Sequence, residues 1–414
     1  MLMTGRLLAA RLDQIARCPW TWAVVLTAAL VLLPAAAGAQ APEPVIVIPA
    51  IYSSDTMTRN ADLTLAGAVI ATAAVEKAIA AAWSPRPDST ASRTTRLAKF
   101  LLFDVPVVTF AMGLNHEGGH MVRAREQAFL YSFEVVGSPW SSRPFELIGL
   151  SEGIFYDLGS QAGGFEASRR LKDRGEALLW HAPRVAPGHA IATITASLDL
   201  PVYAWQSLSA ERFEQPGDPA RILSIVARDR GADRAGFDGI RREMRRRASW
   251  NLADSALWSL VYGLVRDHVW RGERGVAVRW LRVGRVELLP GVRYEWTPIG
   301  AEYSVRSHYR ITRAAGIGYV RWTGRFAGTR QLGAGGSMSW RGEEGVIPRI
   351  DVDMWSHTRE GRGAHVAATL DVDGWAPGAS SVLVTAGAKS RGHMGSLPAE
   401  AGAYVSAGVL VRFW

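Results

Sequence analysis

The texture of the chain changes at about Gly275, and no other feature narrows the fold as far. From there to Trp414 helix signals vanish, and alternating runs stand between Gly, Pro and Asp turns. Ile350, Val352 and Met354 alternate with Asp351 and Asp353. Val366, Ala368, Leu370 and Val372 alternate with His365, Thr369, Asp371 and Asp373. The last run sets Val405, Ala407, Val409, Val411 and Phe413 against Tyr404, Ser406, Gly408 and Arg412. Successive side chains of a strand point to opposite faces, so each run predicts one apolar face and one polar or small face. About eight strands are expected, starting near residues 285, 301, 315, 331, 346, 363, 380 and 402. A spacing of roughly 15 to 20 residues suits long strands with turns and is wide for a soluble sandwich. Eight of the 16 tryptophans lie between Trp270 and Trp414, many near expected strand ends, where an interfacial girdle would stand. A soluble β-barrel or sandwich packed on the preceding helices is the other architecture the pattern allows.

The 414 residues leave room for two or three domains. Residues 60–272 read as one mainly helical unit. Ala61 to Trp83 is an alanine-rich helix stopped at Ser84-Pro85-Arg86-Pro87, and a second begins near Leu97, passes Pro106 and runs through Val122. Tyr131 to Val136 alternates like a strand, and helical patterns resume at Gly164–Trp180, Ala190–Leu208, Pro219–Arg228 and Asp238–Trp270. Residues 40–59 are an extended linker, with Pro42 to Ile51 extended. Before it, Arg6, Arg11 and Arg17 precede the apolar stretch Trp20 to Leu33 and the small residues Ala35 to Ala39. That order predicts a secretory signal over residues 1–39 and an exported protein. Cys18, the single cysteine, lies inside it, so the exported chain would have neither disulfides nor a thiol nucleophile. A net charge of +9 comes mostly from scattered arginine. The one dense run, Arg241, Arg242, Arg245, Arg246 and Arg247, reads as a solvated helix face or a basic face for anionic head groups. No aromatic-interleaved basic stripe accompanies it, so nucleic acid is excluded as a partner.

The chemistry is carried by His116-Glu117-Gly118-Gly119-His120, which sits in the second helical stretch. Histidines at i and i+4 share a helical face one turn apart, so both imidazoles can reach one Zn²⁺. Glu117 then projects beside the metal, where it can take a proton from zinc-bound water. Each glycine costs a helix interior about 1 kcal/mol relative to alanine, so the pair points to a close contact or a bound group nearby.

The motif resembles zinc metallopeptidases of the zincin type. That resemblance implies His116 and His120 as ligands and Glu117 as general base. The form His-Glu-x-Gly-His followed by Ala124 is also similar to the site-2 proteases, which bury this helix in a membrane and take a third ligand from an aspartate in a Leu-Asp-Gly motif. Leu198-Asp199-Leu200-Pro201 is the nearest match and lacks the glycine. A catalytic site wants three protein ligands and an open position. Glu166, 46 residues beyond His120, is the expected third, as gluzincins place a glutamate on a later helix. Asp199, Glu152, Asp157, His181 and His189 remain alternatives. Tyr156, His181, His189 and Tyr203 could each stabilise an oxyanion.

The closing Val409-Leu410-Val411-Arg412-Phe413-Trp414 resembles the final strand of bacterial outer-membrane β-barrels, although Trp414 falls opposite Phe413. The expected fold is therefore α+β: a helical zincin-like domain over 60–272, then an antiparallel barrel of about eight strands over 275–414. The expected function is a zinc-dependent metallopeptidase of the bacterial envelope, acting on proteins or peptides and held in the outer membrane with its helical domain periplasmic. The alternatives are a barrel scaffold or assembly protein with a structural or inactive zinc site, and a site-2-protease-like intramembrane protease.

Overall fold

A computed structural model describes residues 46–51, 56–83, 89–141, 144–151, 153, 157–180, 182–208, 218–297, 300–323, 330–340, 346–358, 361–376, 380–390, 392–394, 397–399 and 401–413. The expected signal over 1–39 lies outside these residues, as do Glu152, Tyr156, His181 and Trp414. Strand β1 (Ile46–Ile51) precedes helix α1 (Thr56–Ala82), and α2 (Thr90–Lys99) starts at Ser89, whose hydroxyl accepts the Ser92 N–H. A π-helical turn, Phe100–Asp104, carries α2 straight into α3 (Val105–Glu126). Pro106 has no N–H to offer the Leu102 carbonyl one turn back, and the Trp140 indole N–H donates to that oxygen instead, at 2.7 Å. The helix thus passes its proline unbroken.

The hairpin β2 (Tyr131–Val135) and β3 (Phe145–Leu150) leads to α4 (Leu158–Leu178), capped by Asp157. The two-residue β4 (Arg184–Val185) follows, then α5 (Pro187–Ser207), α6 (Asp218–Asp229) and α7 (Arg234–Ala248). A 3₁₀ turn, Ser249–Ala253, leads into α8 (Ser255–Gly263), which continues as a π-helix to Trp270. Two apolar cores hold the helices together, and α4 serves both. Phe165 packs with Leu200, Leu223, Val226 and Met244, while Leu171 packs with Leu65, Val108, Ile191 and Leu260.

The strands expected from the alternation are all present as β7 (Val286–Thr297), β8 (Gly300–Ile311), β9 (Ala314–Thr323), β10 (Gln331–Trp340), β11 (Val346–His357), β12 (Gly361–Ala376), β13 (Ser380–Lys389) and β16 (Gly402–Phe413). They belong to a ten-stranded antiparallel sheet, with β1 added beside β16 at one end and the short β6 (Leu281–Val283) beside β7 at the other. Of the expected linker, Ile46–Ile51 is part of the sheet, and residues 56–59 already belong to α1. Short β5 (Val276–Ala277) pairs with β4, and β14 (Gly392–Met394) pairs with β15 (Leu397–Ala399).

The two faces of this sheet are unlike. One face exposes Val305, Val320, Leu332, Ile350, Met354, Val366, Leu370, Val384 and Val405. The other buries Glu302, Arg306, His308, Arg321, Asp353 and His365. Helix α4 lies against the polar face. Arg306 donates to Glu176 (2.9 Å) and to Asp254 (2.6 Å), and His308 meets Glu176 at 3.1 Å. Arg169 approaches Glu295 at 3.4 Å, and Asp173 pairs with Arg293. A cavity of about 400 Å³ remains between α4 and this polar face.

Candidate metal centre

Helices α3 and α4 cross in contact where both carry glycine. A Cβ on Gly119 would meet the Gly163 carbonyl and lie 2.7 Å from the Ala167 Cβ, and one on Gly163 would lie 2.6 Å from the Gly119 oxygen. A Cβ on Gly164 would strike the Nε2 atoms of both His116 and His120. Gly119, Gly163 and Gly164 therefore answer one requirement, the approach of α4 to the imidazole pair, whereas a Cβ on Gly118 would meet only Asn60 Nδ2 at 3.4 Å.

His116 and His120 are buried, and each Nδ1 is fixed. His116 Nδ1 lies 2.9 Å from Asp199 Oδ2, which also accepts the Ser168 hydroxyl at 2.6 Å. His120 Nδ1 lies 2.7 Å from the Ser160 carbonyl oxygen. With Nδ1–H donating, a neutral ring presents its lone pair on Nε2, and the two Nε2 atoms stand 3.3 Å apart. Asp218 Oδ2 completes the triangle, 3.2 Å from one Nε2 and 3.1 Å from the other. Tetrahedral zinc, with donors at about 2.0–2.2 Å, sets any two of them roughly 3.3–3.5 Å apart. The triangle fits one face of such a tetrahedron, and these three residues form the one group of suitable donors among the described residues.

The electrostatics agree with the geometry. Burial opposes ionisation of Asp218, but His120 and His116 outweigh it and hold the carboxyl far below its usual range. Burial also opposes charge on His116 and His120, but Asp199 and Asp218 outweigh it at the first and Asp218 at the second, so both imidazoles are held above their usual range. A divalent cation would take the place of their protons against the ionised Asp218. Asp218 opens α6 directly before Pro219, and its N–H lies 3.4 Å from the Tyr203 hydroxyl oxygen. Phe165 and Tyr203 enclose the His116 ring, with centroids at 5.3 and 5.9 Å.

Glu117 points to the edge of this centre and accepts the Tyr131 hydroxyl at 2.7 Å. Tyr131 also stacks on His120, with ring centroids 5.3 Å apart. Burial first, then Glu117 and Asp218, push the Tyr131 phenol upward, so it stays protonated and donates. Burial and Asp218 do the same for Tyr203.

Of the residues expected from the sequence, His116, His120 and Glu117 come together. Glu166 does not join them: its carboxylate is held by Arg123, with Nε to Oε2 at 2.8 Å and Nη2 to Oε1 at 2.6 Å. Both side chains are buried, and a buried guanidinium needs that counter-charge. The third donor brought to the histidines is Asp218. Asp199 stands behind His116 as its orienting carboxylate, Asp157 caps α4, and His189 Nε2 lies 2.8 Å from the Gly175 carbonyl oxygen. Tyr203 alone of the described oxyanion candidates lies at the centre. The signal for Asp218 was Pro216-Gly217-Asp218-Pro219, which reads first as a turn and a helix start. Comparison with models of known protein families, with characterised proteins and with solved structures gives no match.

Proposed function

We propose that the protein is a zinc-dependent metallopeptidase of the bacterial envelope. The observation that carries this reading is the triangle of His116 Nε2, His120 Nε2 and Asp218 Oδ2, with Glu117 beside it. Among the described residues three donors come together, which leaves a coordination position open, whereas structural zinc sites use four. That difference favours an enzyme over a scaffold with a structural ion.

Zinc bound by His116, His120 and Asp218 would supply Lewis acidity toward a peptide carbonyl. Glu117 receives the proton of the attacking water and returns it to the leaving amine, and the Tyr131 hydroxyl holds the carboxylate in place. Tyr203, protonated and beside Asp218, is positioned to donate to an oxygen that gains charge. Asp199, steadied by Ser168, keeps the His116 ring in its ligand orientation.

The sheet supports placement in a membrane. Side chains that alternate apolar outward and charged inward are what a lipid-exposed barrel needs, and the outer residues named above would otherwise face water. On this reading the sheet closes as an outer-membrane barrel and the helical unit lies outside the hydrocarbon. A second reading is favoured by the donor set, since an aspartate beside the motif histidines resembles the site-2 proteases. Helices Thr56–Ala82 and Thr90–Glu126 are long and apolar enough to cross a membrane by length and composition.

Glu117→Gln separates binding from chemistry. The variant should retain zinc and lose hydrolysis of an unfolded protein such as casein; retained turnover would overturn the proposed role of Glu117. Recovery of the chain in the inner-membrane fraction would favour the second reading.

A further inference from the structure

The arginine run is not used by the metal centre, and its surroundings point to a task of its own. On α7, Arg241 pairs with Asp238 and Arg247 with Glu243. Arg242 and Arg246 are exposed one turn apart, and among the described residues neither has an acidic partner. Arg245 places its guanidinium over the ring of Trp205, 4.2 Å from the centroid, and Trp205 donates its indole N–H to Ser249. Beyond α7 the exposed face becomes aromatic and apolar, with Trp250 at 43%, Leu252 at 38% and Trp258 at 55% exposure. Trp258 donates to the Leu252 carbonyl, which makes these residues one continuous ridge with Trp205. Trp258, Tyr262 and Val265 recur at helical spacing on α8 and its extension, and all three are exposed. The opposite side, Ala256, Leu257, Leu260 and Leu264, is buried in the protein. Helix α8 is thus apolar on both sides, and protein covers one.

The ridge adjoins the apolar face of the sheet. Trp250 packs on Tyr303 at 5.8 Å, and Arg247 lies over the same ring. Tyr303 shares a face of β8 with exposed Val305 and stacks on Trp322, whose partner across β10 is exposed Leu332. Tryptophan with arginine at the border of an apolar surface is the composition of a membrane–water interface.

We infer that α7 and residues 249–265 anchor the helical unit to the surface of a bilayer rich in anionic phospholipid. Arg242, Arg245 and Arg246 bind head-group phosphates, and Trp205, Trp250, Leu252 and Trp258 enter the boundary between head groups and acyl chains. The inference rests on the lipid-facing reading of the sheet. Each arginine near an anionic surface contributes about 1 kcal/mol, so removing three shifts docking of the ridge roughly 100-fold toward the undocked state.

The test uses the full chain in a Cys18→Ser background, with an environment-sensitive fluorophore on Leu252→Cys or on Val265→Cys. The protein is reconstituted into phosphatidylcholine vesicles with or without 30% phosphatidylglycerol, and insertion is checked by flotation. The expected result is a blue-shifted label quenched by brominated lipid when phosphatidylglycerol is present, and loss of both effects in Arg242→Gln/Arg245→Gln/Arg246→Gln. A chain that floats while both labels report water, or report the same in either vesicle, would overturn the anchor and leave the sheet reading standing. A chain that does not float would overturn both. Labels unmoved by lipid, with arginine-dependent binding of polyglutamate, would overturn the lipid assignment in favour of an acidic protein partner.

Discussion

Gly164→Ala puts the proposed metal centre under the most specific strain. The added Cβ would lie 2.6 Å from His120 Nε2 and closer still to His116 Nε2, where ordinary contact begins at 3.4 Å. The rings or α4 must therefore give way by about 0.8 Å at His120 and about 1.1 Å at His116, several times the roughly 0.2 Å tolerance of metal–ligand distances. The same substitution favours the helix by about 1 kcal/mol through backbone propensity, so the fold has little reason to fail. Zinc affinity should fall at least 100-fold, about 2.7 kcal/mol, while helical circular dichroism is kept. Competition with a chromophoric chelator measures the affinity, and thermal unfolding with and without chelator gives an independent reading. Wild type should lose stability on chelation, and Gly164→Ala should not respond. Gly67→Ala in α1, where a Cβ meets nothing within 4 Å, is the control and should bind zinc like wild type. If Gly164→Ala binds zinc within threefold of wild type, the histidine nitrogens do not converge beside α4 and the geometric argument fails.

Other expectations follow from the neighbours of the site. Glu166→Gln should keep one zinc per chain and lower stability by about 3 kcal/mol, because it strips the charge partner from buried Arg123; zinc lost from a folded variant would restore Glu166 as a ligand. Asp199→Asn should weaken zinc about 10- to 100-fold without unfolding the chain, and an unchanged affinity would remove its orienting role. His189 is driven down to about 4 by burial, only partly offset by the Gly175 carbonyl. Its native pKa lies below its unfolded value of about 6.5, so the unfolded chain binds the extra proton between those values. Stability should then fall as pH drops from about 6.5 to 4, by roughly 3 kcal/mol in all from this residue. His189→Gln should flatten that slope in urea unfolding, and an unaltered slope would refute the assignment.

Much of the fold was legible because it follows from period. The runs around Ile350, Val366 and Val405 placed their strands, since only a strand sends alternate residues to unlike surroundings. The alternation did not say which face would be inside, and the burial of Arg306, Asp353 and His365 supplied that. His116, Glu117 and His120 were legible because one helix turn brings them together. The third donor was not, because it comes 98 residues beyond His120 and from another helix. Glu166 stood next to the right glycines, yet two residues past Gly164 turns a helical side chain about 200° away, toward Arg123. Aspartate at a helix start is so often a cap that Asp218 carried no mark of its role. The Arg241–Arg247 run was legible as charge, and its tie to Trp205 and Tyr303 needed the tertiary packing.

The most direct measurement is the zinc content of the purified full-length chain beside Asp218→Ala, after metal-replete purification and dialysis. One zinc per wild-type chain, lost in a folded Asp218→Ala, is the predicted result. Zinc retained at one per chain in Asp218→Ala, or absent from wild type, would contradict a centre built from His116, His120 and Asp218.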